Sequence, residues 1–209
     1  MTTRIYICGA HATGKTTLAR HIAKATGLPM LHEVARQVLA EREMSFETLR
    51  CNLDTVNEYQ RAVFERQLEV EKHAPKGFVS DRAFCNLAYA ARHSQILHDV
   101  LSLPEMDAYF NTMREGALVL YTRPDPVFLA ADGTREKLSW DEVVRIDGMI
   151  DFILAWQRIP AIGIAETGMR DRVRTAMTAV NLYLRRRGTD SVDPSRLTRR
   201  PASTTPFPF

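Results

Sequence analysis

Hydrophobic and polar positions along the chain switch between two periods, and the switches outline its elements. Arg4-Ile5-Tyr6-Ile7-Cys8 is a short apolar, partly β-branched run of the kind that makes a buried strand. From Lys15 the period lengthens: Leu18, Ile22 and Ala25 recur on one helical face until Gly27 stops the helix. Met30-Leu31-His32 reads as a second short strand ending at Glu33, and a helix follows over about 33–43. Val56, Tyr59, Val63 and Val70 hold one stripe over 54–73, which predicts a long helix whose many charges form its solvated face. Pro75-Lys76-Gly77 breaks it, and Phe78-Val79-Ser80 makes a third strand that ends on Asp81-Arg82.

Helices are predicted next over about 84–92 and 104–114, then a fourth strand, Leu118-Val119-Leu120-Tyr121. The stretch 123–137 is rich in Pro, Asp and Gly and reads as a loop. Ser139-Trp140-Asp141-Glu142 is a capping box that opens a helix with Val143, Ile146, Ile150 and Ile153 on one side. Ala161-Ile162-Gly163-Ile164 is a fifth strand, and a last helix runs over about 169–187 with Val173, Ala176, Met177, Val180 and Leu184 inward. From Gly188 onward Pro, Ser, Thr and Arg dominate, so disorder is expected there. Strands alternating with helices imply one α/β domain over 1–187: a five-stranded parallel sheet with helices on both faces. Ligands in such sheets bind at the carboxyl ends of the strands. Gly9, Glu33, Asp81-Arg82 and Arg123 stand at those ends.

The stretch between the first strand and the first helix carries the strongest chemical signal. Gly9-Ala10-His11-Ala12-Thr13-Gly14-Lys15-Thr16, with Thr17 next, fits G-x-x-x-x-G-K-[ST], the P-loop of nucleoside triphosphatases. Its backbone N–H groups and the positive end of the helix dipole would hold the phosphates of ATP. Lys15 would set its ammonium against the β- and γ-phosphates, and the Thr16 hydroxyl would ligate Mg²⁺.

Composition narrows the class. With 209 residues, 45% hydrophobic and 25% charged, the chain is an ordinary globular protein able to bury a full core. No apolar run reaches the length of a membrane span and the N-terminus has no signal-peptide pattern, so a cytoplasmic protein without membrane contact is expected. Cys8, Cys51 and Cys85 are odd in number and lack C-x-x-C spacing, which fits a reducing compartment and argues against zinc. The net charge of +3 belongs to the tail, since six arginines and two aspartates stand from Arg185 onward. The body is close to neutral, which argues against nucleic-acid binding by the fold and leaves the tail as its one basic contact.

Asp81 ends an apolar strand, where it would orient Mg²⁺ or cap the following helix. Glu33, at the second strand end, would accept a proton or bind a sugar hydroxyl, or start its helix favourably. Arg36 lies one turn on. The stretch 123–138 would form a mobile lid, with Arg135, Lys137 and then Arg145 as cations for the migrating phosphoryl group.

These motifs together resemble a family. G-A-H-A-T-G-K-T-T-L-A, L-H-E-V-A-R, F-V-S-D-R and P-D-P-V-F-L-A-A-D-G-T-R are similar to the NadR/Ttd14-type P-loop ATPase/kinase domain over about 4–185. The resemblance extends to the ribosylnicotinamide, deoxynucleoside and thymidylate kinases. It implies a base or sugar-binding role for Glu33 and substrate or phosphate contact for Arg82. The aspartate-rich third-strand end of the ribosylnicotinamide kinases is absent, which argues against nicotinamide riboside as acceptor.

The resulting expectation is a kinase acting on a nucleoside, nucleotide or similar small acceptor. Lys15, Glu33, Arg82 and Arg135 would do the chemistry; Glu33, Arg36, Asp81 and Arg82 would face the acceptor. Two alternatives are a kinase acting on DNA, at a hydroxymethylated base or a strand end, and a nucleotide-dependent binding or switch module.

Overall fold

The computed structural model describes residues 2–32, 34–42, 52–83, 87–88, 97–130 and 139–188. Its strands are β1 (Thr3–Gly9), β2 (Met30–Leu31), β3 (Gly77–Asp81), β4 (Ala117–Thr122) and β5 (Ala161–Ile164). They form one all-parallel sheet in the order β2-β3-β1-β4-β5. Its described helices are α1 (Lys15–Thr26), α2 (Val34–Glu41), α3 (Leu53–Lys72), α4 (Leu97–Leu101), α5 (Pro104–Gly116), α6 (Pro126–Ala130), α7 (Trp140–Trp156) and α8 (Met169–Arg186).

Alternation along the central strand builds both layers of the core. Ile5 and Ile7 join Val79, Leu118, Leu120 and Ile164 beneath α1 and α8. Tyr6 and Cys8 join Phe78, Val119 and Tyr121 beneath α5 and α7. Both faces of β1 are thus out of water, and its sequence is a continuous apolar run for that reason. A third cluster pairs Val34 and Val38 of α2 with Val56, Tyr59 and Val63 of α3.

Local signals set most of the ends. Gly27 closes α1 in the left-handed region, its N–H donating to the Ala23 carbonyl at 2.9 Å. The Ser139–Glu142 capping box forms as expected, with both of its hydrogen bonds at 3.2 Å. Three features depart from expectation or fall outside it. The predicted loop over 123–137 contains α6, because Pro126 suits a first helical position and the Asp125 carboxylate accepts from the Val127 N–H at 2.9 Å. Helix α4 forms in a stretch where no element is predicted. Most of the helix expected over 84–92 lies outside the described residues, as does the tail from 189. At the end of α8, Arg187 donates to the carbonyls of Thr2 and Gly116, just before β1 and β4, and ties that helix to the sheet. No described helix is long and apolar enough to cross a membrane.

One polar cluster lies within the α3–α5 layer. The partly buried Glu71 carboxylate accepts from the Tyr6 hydroxyl at 2.6 Å, Gln67 Nε2 at 2.7 Å and the Tyr109 hydroxyl at 3.3 Å. Burial outweighs these three donors and pushes the carboxyl from 4.5 up to about 7. The folded state therefore holds this proton more tightly than the unfolded chain does. Stability from this group is full below pH 4.5 and is lost as pH rises towards 7, by about 1–3 kcal/mol. Glu71→Gln keeps one acceptor, while the Tyr6 hydroxyl can turn to accept from the new amide. In urea unfolding at pH 5 and pH 7.5 this variant is expected to lose most of that pH dependence. An unchanged slope would remove Glu71 as its source.

Candidate functional site

The carboxyl ends of β1, β3 and β4 come together because the parallel register sets Ile7 opposite Asp81 and Gly9 opposite Thr122. The chain leaves β1 at Gly9 with φ +150°, and a Cβ there would overlap the Thr122 side chain and carbonyl. Gly14, at φ +80°, caps α1 in the left-handed region, and a Cβ on it would run into the Met169 methyl group. Glycine is required at both positions, by conformation and space together at Gly9 and by conformation at Gly14, where the Met169 methyl is the far end of a flexible side chain. Between them Ala12 also takes a positive φ, of 53°.

Side chains lock this turn from inside. Thr13 Oγ1 donates to the Ala10 carbonyl at 3.0 Å and lies 2.8 Å from Thr122 Oγ1, which donates to the Cys8 carbonyl at 2.9 Å. Lys15 is buried, its ammonium donating to the Ala10 carbonyl with Thr13 Oγ1 at 3.5 Å. The loop's positive charge is therefore held over its own backbone. An anion seated at the start of α1 would offer that ammonium a stronger partner than a carbonyl. His11 stands within the loop, partly buried, and Thr17 follows it, exposed.

Beside the lysine, Thr16 Oγ1 donates to Asp81 Oδ2 at 2.6 Å. Asp81 is buried and its other oxygen, Oδ1, has no hydrogen-bond partner among the described residues. An orphaned buried carboxylate oxygen costs about 1–3 kcal/mol, and a divalent cation at this pair would satisfy it. The donor set suits Mg²⁺, which takes a hydroxyl and one carboxylate and completes its shell with phosphate oxygens and water. Among the described residues no group of three His, Cys, Asp or Glu forms a cage that would bind a metal by protein alone. Arg82 follows, buried and with φ 111°, a strained conformation for a side-chain-bearing residue.

Several residues with no role assigned from sequence complete the crevice. Arg172, in the first turn of α8, is 1% exposed. Its Nη1 donates to the Thr13 carbonyl at 2.8 Å and its Nε to the Glu166 carbonyl at 2.5 Å. Its guanidinium stacks 4.5 Å over the Phe128 ring of α6. Desolvation pulls its pKa down, against the pull of Asp125 and Glu166. One arginine thus links the P-loop, the β5–α8 connection and the helix that leads into 131–138. The signal was present in sequence: Arg172 is in phase with buried Ala176, Val180 and Leu184, where a charged residue needs a reason.

Arg123, at the end of β4, is pinned to Asp147 of α7 at 2.9 Å, with Asp151 at 3.6 Å and the Tyr121 ring 4.8 Å beneath it. Tyr121 donates to Asp147 Oδ1 at 2.7 Å. Burial raises the Asp147 carboxyl, while the Tyr121 and Arg123 contacts oppose that rise. Glu33, Arg135 and Lys137 lie outside the described residues. Arg36 lies on α2, its side chain outside them too. Arg145 stands on the exposed face of α7, away from that helix's buried side.

Comparison with solved structures identifies the architecture. A NadR protein in complex with NR superposes with a TM-score of 0.68 at 18% identity over 92% of this chain and 54% of its own. This chain thus spans about half the length of that protein. Deoxyadenosine kinase from M. mycoides, with dCMP and dCDP bound, gives a TM-score of 0.60 at 16% identity over 86% of this chain and 100% of its own. Shikimate kinase from Acinetobacter baumannii in complex with shikimate gives 0.54 at 13% identity over 89% and 95%. The shared fold is that of the P-loop kinases. A search of curated proteins finds no match. The AAA-domain family AAA_28 matches residues 4–172, nearly the whole described fold and all of its P-loop crevice, and the chain belongs to that family.

Proposed function

We propose that this protein is an ATP-dependent phosphotransferase that moves the γ-phosphoryl group to a nucleoside, nucleotide or similar small acceptor. The observation that carries the reading is the Thr16–Asp81 pair at 2.6 Å, with an unpartnered Asp81 oxygen, beside the Lys15 ammonium at the start of α1. A phosphate-holding loop alone would serve a switch equally well. A buried carboxylate aimed at the same point adds the Mg²⁺ site that kinases and hydrolysing switches have in common, and the kinases that share the fold favour transfer to an acceptor.

In this mechanism the loop amides and Lys15 hold the β- and γ-phosphates in line with the acceptor. Thr16 and Asp81 would hold Mg²⁺, which when bound neutralises charge on the phosphate oxygens. Glu33 takes the proton of an attacking hydroxyl, and Arg36 and Arg82 orient the acceptor. Arg135 offsets the equatorial charge of the migrating group from the lid. The three solved structures bind small molecules (NR, nucleotides and shikimate), which favours a small acceptor over DNA.

Arg172 positions this machinery and touches no reacting atom. Arg172→Lys keeps the charge but cannot span the Thr13 and Glu166 carbonyls in one plane. The KM for ATP is expected to rise about tenfold, with kcat changed less. A lowered melting temperature with an unchanged KM would reduce Arg172 to a packing role.

The function is tested with γ-labelled ATP, Mg²⁺ and a panel of nucleosides, nucleoside monophosphates and oligonucleotides. Label is expected on a small acceptor. Label on oligonucleotides alone would transfer the reading to a DNA kinase. Release of inorganic phosphate with every acceptor would make it a nucleotide-dependent switch.

A further inference from the structure

The helices on the two faces of the sheet differ in charge. Helices α1 and α8 cover one face and share a core beneath them. Between them they carry eight Lys and Arg and a single acid, Asp171. Helices α3, α5 and α7, on the other face, carry twelve Asp and Glu against five Lys and Arg. The near-neutral body expected from composition is therefore the average of a basic layer and an acidic one.

Two of the eight cations are engaged inside the fold: Lys15 at the P-loop, and Arg172 on the Thr13 and Glu166 carbonyls. The other six are exposed. Arg174 pairs with Asp171 at 2.8 Å. Arg20, Lys24, Arg170, Arg185 and Arg186 have no ion pair among the described residues. On the acidic layer Arg66, Arg114 and Arg123 each sit on a carboxylate.

The exposed cations look outward together. At about 100° per residue, Arg20 and Lys24 lie within about 40° of each other, opposite the buried Leu18 and Ile22. Arg170, Arg174 and Arg185 lie within about 60°, on the side away from Ala176 and Val180, with Arg186 at the flank. From Arg170 to Arg185 is about 22 Å along α8, and the axes of two packed helices lie about 8–10 Å apart. Helical backbone on a shared core thus holds the cations as a rigid platform in two rows.

We propose that this outer face of α1 and α8 binds double-stranded nucleic acid through its phosphates. At about 3.4 Å per nucleotide, the α8 row matches the length of about six base pairs. Four of the five unpaired cations are arginines, whose fork of donors fits phosphate oxygens. Contacts to phosphate carry no sequence information, so binding is to any sequence. A single strand would need aromatic rings for its bases to stack on. Tyr183 is the one Phe, Tyr or Trp of these two helices, and it turns inward, its hydroxyl donating to the Gly116 carbonyl at 2.7 Å. An anionic membrane would be gripped by an apolar stripe beside the cations, and Leu182 is the one exposed large apolar side chain on either helix. The duplex is held on the outside of the helix layer, away from the strand ends, and is not the phosphoryl acceptor. Binding here stands whether or not the crevice transfers phosphate.

Fluorescence anisotropy of a labelled DNA duplex of about 20 base pairs, titrated with the full chain at about 50–200 mM NaCl, tests this. Four to five phosphate contacts give log Kd a slope of about 4 against log salt, so affinity falls about 250-fold over that range. A Kd of about 1–100 µM is expected at physiological salt. Arg20→Glu with Lys24→Glu is expected to weaken binding at least about tenfold and to lower the slope by about 2, and so is Arg170→Glu with Arg185→Glu. Circular dichroism checks that each variant is folded. Arg20→Gln with Lys24→Gln introduces no new charge and is expected to lose the same slope. Arg61→Glu, at an exposed position of α3, is expected to change affinity less than about threefold. No binding at 50 mM salt and 100 µM protein overturns the proposal. Binding that survives both helix pairs also overturns it and moves the contact to the tail, where Arg196, Arg199 and Arg200 stand. An equal loss in Arg61→Glu would reduce the effect to net charge, and tighter binding of a single strand of the same length would overturn the duplex as partner.

Discussion

Lys15→Ala is expected to lower phosphoryl transfer by at least about 10³-fold and to weaken ATP binding severalfold or more. The ammonium is the one loop cation already delivered to the crevice, buried above the Ala10 carbonyl beside Thr13. Migration of a phosphoryl group builds charge on oxygens that a water-excluded site must neutralise, and losing one such donor costs about 10²–10³-fold in rate. Losing a full positive charge that also orients the phosphates costs more. The fold itself should tolerate the change. The variant sheds a buried charge as well as its hydrogen bond, so the two effects offset, and the melting temperature is expected to stay within about 3 °C. Calorimetry with ATP and a label-transfer assay separate the two expected losses. An ATP affinity equal to that of the wild type would falsify the nucleotide reading of the crevice.

Why the lysine was visible in the sequence and other parts were not follows from range. The P-loop is a contiguous pattern whose strand-to-helix context is also local, so the motif and the elements around it could be read together. The same holds for the stripe of α3, the capping box of α7 and the buried run of β1. What escaped depends on distant partners. Arg172 reaches the Thr13 carbonyl across 159 positions of sequence, and Thr122 meets Thr13 across 109. No periodicity encodes those contacts, although a charged residue in phase with Ala176 and Val180 hinted at the first. Helix α6 was hidden for the opposite reason. Asp125-Pro126 is equally a turn signal and a helix start, and only the observed Asp125–Val127 hydrogen bond decides between them.

The second large effect is expected at Glu33, and it distinguishes the two classes of small acceptor. Leu31, the last residue of β2, pairs with Ser80, so β2 ends one position short of the level of Asp81. Glu33 follows between that strand and α2, which begins at Val34. A hydroxyl acceptor must lose its proton as it attacks, and a base placed for that step is worth about 10²–10⁴-fold. Glu33→Gln keeps the size and one hydrogen-bond acceptor of the side chain but not its basicity. With a nucleoside or other hydroxyl acceptor, kcat is therefore expected to fall by about 10²–10⁴-fold, with little change in the KM for ATP. The loss should shrink at high pH, where hydroxide partly replaces the missing base. A nucleoside monophosphate attacks through an oxygen that is already ionised, so with such an acceptor the loss should stay below about tenfold. Measuring kcat against pH for wild type and variant, with whichever acceptor takes the label, reads both features at once. A loss below tenfold with a hydroxyl acceptor, independent of pH, would remove Glu33 as the base and leave it a helix-starting carboxylate favoured by the dipole of α2.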